Sequence, residues 1–265
     1  MGKKFLEEAL GKLKAEGQGI FIPYIMAGDG GLDHLVDQVT FLEKAGASAI
    51  EIGIPFSDPA ADGPVIQEAG KRALKEGTTL KGIFEVLKKA RHKGEIGIPI
   101  IFMTYFNPVL QYGLQTFARD CTEAGIDGLI IPDLPMEHND ILKPFIQKEG
   151  IALIQLASLT SSNDRLKTIA QATEGFLYAV TINGITGAVK EFNSSLSHHF
   201  EELKRVCQVP VLAGFGISTP DHVRDFLEIT DGVVVGSRII QLLQENKIME
   251  VKELIGAADG KTTVS

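Results

Sequence analysis

Eight short runs of β-branched and other apolar residues recur along the chain, and the spacing between them leaves few architectures open. The runs are IFIPYIM (20–26), SAIEIGI (48–54), IPIIFMT (98–104), GLIIP (128–132), IALIQLA (151–157), GFLYAV (175–180), VPVLAG (209–214) and GVVVG (232–236). Longer stretches with helical periodicity separate them. In LDHLVDQVTFLEKAG, for example, Leu35, Val36, Val39, Leu42 and Ala45 share one face. A strand that is apolar on both faces needs cover on both, which parallel strands flanked by helices receive. Eight such units in a chain of 265 residues predict a closed (β/α)8 barrel, the TIM-barrel architecture, rather than an open sheet. The turn after the first run, AGDGGLD, does not match the G-x-G-x-x-G fingerprint of a doubly wound sheet.

An extra helix is expected ahead of the first strand, because MGKKFLEEALGKLKAEG places Phe5, Leu6, Ala9, Leu10 and Leu13 on one face. It lacks the continuous apolar stretch of a signal peptide, and no window reaches the roughly 18 apolar residues of a membrane span. No linker or composition shift divides the chain, so one domain over 1–265 is expected, with a flexible tail from about 259 to 265. Thirty-four acidic against 26 basic side chains give a net charge of −8 without a basic block, which disfavours nucleic acid and anionic membrane as partners. Cys121 and Cys207 match no metal or redox spacing and read as reduced core thiols of a cytoplasmic protein.

The second run carries a charge where the pattern calls for none. In IEIGIPFSDPAADGP (50–64), Glu51 is flanked by Ile50 and Ile52, and Asp58 and Asp62 follow. In a barrel the chemistry sits at the carboxyl ends of the strands. If Ile50 and Ile52 face the helices, Glu51 faces the barrel mouth, where burial raises a carboxyl pKa and suits it to proton transfer near neutral pH. On this residue alone, a salt-bridged or solvent-facing Glu at a strand edge fits equally well. Asp58 reads as a brace of its own loop. Asp127 and Asp133, flanking the fourth run, read as turn and loop bonding, with a supporting role near the site open to Asp133.

Three glycine turns follow the last three strands: NGITGAV, GFGIST and GSRII, the last opening a helix. Any one of them is ordinary turn chemistry. Together they occupy the places where barrels hold a phosphate on backbone N–H groups and a helix N-terminus, and Ser237 can add a hydroxyl. A phosphate ester substrate is expected. None of the eight runs contains a lysine that could form a Schiff base. The six histidines (34, 92, 138, 198, 199 and 222) fall outside the runs, with His198 and His199 placed at a helix start and solvated. No metal-ligand spacing emerges. Acid–base chemistry by Glu51 and Asp62 remains, with Tyr178 at the end of the sixth strand as a helper.

IEIGIPFSDPAADGP closely resembles the signature of the tryptophan synthase alpha subunit family, in which a strand-end Glu is followed eleven residues later by an Asp. FIPYIMAGD, YFNPVLQYG, GLIIPDLP, YAVTINGITGA, GFGIS and VVVGSRII extend the similarity over nearly the whole chain. The resemblance implies a retro-aldol lyase that splits indole-3-glycerol phosphate into indole and glyceraldehyde 3-phosphate without cofactor or metal. It implies Glu51 as the main acid–base group and Asp62 as the partner of the indole N–H, with Tyr178 close to the reacting centre. Gly187, Gly216, Gly236 and Ser237 would hold the phosphate, Phe215 would help close the pocket, and Tyr24, Met103, Ile130 and Leu156 would line the indole slot. It further implies a lid over 182–195 with Thr186 beside Asp62, and a beta subunit partner (an α2β2 complex) that carries pyridoxal phosphate and receives the indole. Two positions depart from the family pattern. Ala60 stands where a larger aliphatic residue is usual, and Ile182 where many relatives have a basic one.

Two other classes fit parts of the pattern. A sugar-phosphate isomerase or epimerase shares the glycine turns but does not need the Glu–Asp pair. A regulatory subunit without catalysis keeps the barrel but has no use for intact Glu51 and Asp62.

Overall fold

The computed structural model describes residues 1–158, 160–180, 193–214 and 216–259, and only the backbone of 193–196. Helix α1 (Lys3–Ala15) leads into β1 (Ile20–Met26), α2 (Leu35–Lys44) and β2 (Ile50–Gly53). Two helices, α3 (Pro64–Lys75) and α4 (Leu80–His92), precede β3 (Ile100–Met103), and α5 (Phe106–Tyr112) and α6 (Leu114–Ala124) precede β4 (Gly128–Ile130). The chain continues through α7 (Lys143–Lys148), β5 (Ala152–Ser158), α8 (Asn163–Ala172) and β6 (Leu177–Val180). It then forms α9 (Asn193–Val206), β7 (Val211–Gly214), α10 (Pro220–Ile229) and β8 (Gly232–Val235), ending in α11 (Ser237–Gln244) and α12 (Ile248–Gly256).

All eight strands pair in parallel and in chain order, and β1 closes on β8 with Ile20 opposite Gly232 and Ile22 opposite Val234. The fold is the (β/α)8 barrel expected from the repeat, with α1 as the extra element. Several strands are shorter than their apolar runs. The run 48–54 contributes only Ile50–Gly53, and 98–104 only Ile100–Met103. The flanking residues carry the pattern a little further; Ile54, for instance, packs in the helix-facing core while its N–H still donates to the Met103 C=O at 2.9 Å.

Alternation along the strands builds two cores. Phe21, Ile25, Ile50, Ile52, Ile100 and Phe102 face outward into the layer between sheet and helices. Ile20, Ile22, Ile101, Ile130, Ile154 and Leu212 face inward, and Leu6 and Leu10 of α1 pack against them. The N-terminal helix therefore closes one end of the barrel with its apolar stripe, which explains why its polar face carries alternating Lys and Glu. At that same end Asp127 is fully buried. It accepts from the backbone N–H of Gly2 and Ile100 and pairs with Arg91 at 3.2 Å. Bonding is the part expected of Asp127, but it reaches well beyond a local turn. The lower end of the barrel interior is thus filled by α1 and the polar contacts of Asp127.

No helix among the described residues is long and apolar enough to cross a membrane. Cys121 and Cys207 are buried free thiols. The tail from about 259 lies, apart from Asp259, outside the described residues.

Candidate active site

A cavity of about 520 Å³ opens at the carboxyl ends of the strands. Its walls include Tyr24 of β1, Glu51 of β2, Met103 of β3, Ile130 of β4, Leu156 of β5 and Tyr178 of β6. The loop after β2 supplies Asp62, the loop after β7 supplies Gly216, and the start of α11 supplies Gly236 and Ser237. Ten of the thirteen side chains or glycines singled out from the sequence thus meet in one place. The other three, Thr186, Gly187 and Phe215, lie outside the described residues, as do Ile182 and most of the segment 182–195.

Glu51 is 1% exposed and points inward while Ile50 and Ile52 point to the helices, as the alternation requires. Its Oε2 atom and the Oδ1 atom of Asp62 are buried and have no hydrogen-bond partner among the described residues. Burial, reinforced by the charge of Asp62, pushes the Glu51 carboxyl up to about 8. Asp62 is pushed up to about 6 by burial, with the Tyr105 hydroxyl beside it working in the other direction. Two carboxyls whose affinities for a proton differ this much can take different protonation states near neutral pH, one as acid and one as anion. Burial also pushes the phenols of Tyr24 and Tyr178 well up, with Glu51 and Asp62 adding to it, so both rings stay neutral.

Two close approaches fix the aromatic walls. Tyr24 lies across Gly53, where any Cβ would collide with the Tyr24 hydroxyl, and Tyr178 lies across Gly214 in the same way. Strand-end glycines in these positions give the two rings room to lie flat against the barrel rim. In the same cavity wall, α11 starts at Ser237 with Gly236 as its cap, and a glycine supplies no side-chain cap to the first N–H groups. N–H groups at a helix start and the helix dipole favour an anion. Gly216 holds φ at +79°, with open space where a Cβ would be, so backbone rather than side chain faces the cavity there.

Three features escaped the sequence reading. Tyr105, 3% exposed, accepts from the Ala61 N–H at 2.9 Å and stands beside Asp62. It opens the stretch YFNPVLQYG, one residue past the apolar run that holds β3, but nothing in that stretch sets it apart as a neighbour of Asp62. Arg238 and Gln241 of α11 also line the cavity, and Arg238 is paired with Glu250 at 2.9 Å. His198 and His199 are not at a helix start but inside α9, and only His198 is exposed. His199 is half-buried beside Phe200, and burial lowers its pKa. Asp58 does brace its loop by accepting from Ser57 at 2.5 Å, and Asp133 accepts from the Phe106 N–H at 2.8 Å, fixing the start of α5. No group of three or more His, Cys, Asp or Glu among the described residues could hold a metal ion.

Residues 10–261 match the family Tryptophan synthase alpha chain. The chain belongs to the tryptophan synthase alpha chain family. It is 49% identical to the tryptophan synthase alpha chain of Oceanobacillus iheyensis over the full length of both. It is 51% identical to that of Bacillus cereus over 92% of this chain and 94% of the relative. Among solved structures it superposes on tryptophan synthase subunit alpha from Legionella pneumophila with a TM-score of 0.87, at 34% identity over 98% of this chain and 99% of the other. A chain of the tryptophan synthase α2β2 complex of the hyperthermophile Pyrococcus furiosus gives 0.82 at 37% identity, over 90% of this chain and 98% of the other.

The raised Glu51 pKa has a consequence for stability. The folded protein holds that proton up to about 8, whereas an unfolded glutamate releases it near 4.5. The stability contributed by this carboxyl is therefore fully present below about pH 4.5 and is lost as pH rises toward 8, and Asp62 contributes in the same sense. Glu51→Gln is expected to be more stable than the parent at pH 8 by more than about 1 kcal/mol, the two converging near pH 5. Urea unfolding at the two pH values checks this, and parallel curves would show that the folded and unfolded carboxyl titrate alike.

Proposed function

We propose that this chain cleaves indole-3-glycerol phosphate to indole and glyceraldehyde 3-phosphate by a retro-aldol reaction run by Glu51 and Asp62. The observation that carries it is the meeting of two buried carboxyls of unequal proton affinity with an uncapped helix N-terminus in one cavity. Glu51, still protonated at neutral pH, gives its proton to indole C3. The ring nitrogen becomes positively charged as it does so, and the Asp62 carboxylate accepts a hydrogen bond from its N–H. Glu51, now an anion, takes the proton of the glyceryl hydroxyl next to the ring. The C–C bond breaks, its electron pair restores the aromatic indole, and the hydroxyl carbon leaves as the aldehyde. Both protons pass through Glu51, which ends as it began.

Substrate placement follows from the walls. Tyr24, Met103, Ile130 and Leu156 offer apolar and aromatic surface for the indole, and Tyr178 stands over the reacting carbon. The phosphate rests on the N–H groups of Gly216, Gly236 and Ser237 and on the Ser237 hydroxyl, at the positive end of α11. Ala60 lies at the cavity edge, and its small side chain widens the entrance.

The partner in this reading is a tryptophan synthase beta subunit, which takes up the indole with its own pyridoxal phosphate. Supporting it, α5 follows β3 on the mouth side and presents Leu110, 46% exposed, to solvent. The test is an indole-release assay of the full-length chain on indole-3-glycerol phosphate, alone and with a beta subunit. Indole release, faster with the beta subunit, is expected. Isomerisation of a sugar phosphate with no indole formed would favour the isomerase reading instead.

A further inference from the structure

Asp62 sits in a loop, yet its task demands a fixed direction. The loop from 54 to 63 is held partly by its own backbone: Ala60 N–H to Asp58 C=O at 2.9 Å and Asp62 N–H to Pro59 C=O at 3.1 Å. Gln67, in the following helix, donates to the Asp62 C=O at 2.8 Å. These bonds shape the backbone but leave the Asp62 carboxylate unaddressed.

Tyr105 reaches the loop from the neighbouring strand β3. It is the last residue of the β3–α5 connection, and the bond from Phe106 N–H to Asp133 pins the next residue. Its ring packs on Phe56, with centroids 5.4 Å apart, at the beginning of the loop. Its hydroxyl accepts from Ala61 N–H at the end of the loop. A phenol has one proton to give and lone pairs to receive with. With a lone pair taken by Ala61, the proton is free for the carboxylate beside it.

We propose that Tyr105 is the positioning residue of Asp62, its ring and hydroxyl clasping both ends of the loop and its proton directed to the Asp62 carboxylate. This rests on the role proposed above for Asp62 and adds what orients it. Among the described residues, the other groups facing Asp62 are Glu51 of β2, Tyr24 of β1 and Tyr178 of β6, with Arg238 of α11 on the same cavity wall. Glu51 and the two neutral phenols do not favour the charged form by charge. Arg238 is held by Glu250. A hydrogen bond to the carboxylate from Tyr105 is thus the local interaction that opposes the effect of burial.

Tyr105→Phe in the full-length chain keeps the ring on Phe56 and deletes the hydroxyl. The Asp62 carboxyl, followed by carbon NMR in the free protein, is expected to titrate above the parent's value of about 6, holding its proton roughly tenfold more tightly. An unchanged midpoint overturns the proposal whatever the activity. The acid limb of the pH profile for indole release should move up with it, a loss of roughly tenfold below pH 6. Affinity for inorganic phosphate should stay within about twofold, because the anion site is untouched. A moved carboxyl titration with an unmoved activity profile upholds the contact and instead removes Asp62 from the reaction.

Discussion

Glu51→Gln is expected to lower indole formation by at least about 10², the effect of losing a general acid–base group. The substitution keeps the shape of a side chain that is 1% exposed and replaces a group that can give and take a proton with one that does neither. Both proton transfers of the proposed reaction pass through this carboxyl, and no other titratable group among the described residues of the cavity is placed to substitute for it. Asp62 titrates near 6 and has given up most of its proton at neutral pH. The phenols of Tyr24 and Tyr178 hold theirs too tightly. Inorganic phosphate should bind the variant as it binds the parent. Single-turnover indole release with the substrate saturating measures the chemical step. A rate within about threefold of the parent would take Glu51 out of the mechanism. The same variant is expected to gain stability at alkaline pH, and activity and stability moving in opposite directions mark a residue kept for chemistry.

Gly236→Asp should weaken indole-3-glycerol phosphate and inorganic phosphate alike, by at least about tenfold. Space is not the reason. A Cβ at Gly236 would have Ile66 Cδ1 at 3.4 Å and Tyr24 Cβ at 3.5 Å, ordinary contacts, and the backbone there is not left-handed. An Asp at a helix cap is instead a competing anion: its carboxylate bonds the first N–H groups of α11 and repels a phosphate at the same place. The helix itself should be as stable or more so. Calorimetric titration with inorganic phosphate reads the effect without any catalysis, and equal affinity before and after would move the phosphate to another wall.

Much of this was legible in the one-dimensional pattern because periodicity is a local property. A strand repeats every two residues, so Ile50 and Ile52 facing the helices forced Glu51 inward, and chain order forced it to the same rim as Tyr24 and Tyr178. The turn GSRII announced an uncapped helix start for a similar reason, since neither Gly236 nor its predecessor offers an N-cap side chain. Family resemblance then attached a substrate to a cavity whose chemistry the residues had only narrowed to acid–base work.

What the linear order could not carry is any contact made across the barrel. Tyr105 and Ala61 are 44 positions apart, and Asp127 meets Gly2 across 125. No periodic rule links such pairs, because closing the sheet rather than spacing along it brings them together. His199 went astray for the same reason: how deeply a helix residue is buried depends on what packs against it. The chain alone therefore determined which way each strand residue points and where the glycine turns fall. Tertiary closure alone decided which groups share a dielectric, and so how far the proton affinities of Glu51 and Asp62 rise. Desolvation depends on every atom that surrounds a charge, and most of those atoms come from elsewhere in the chain.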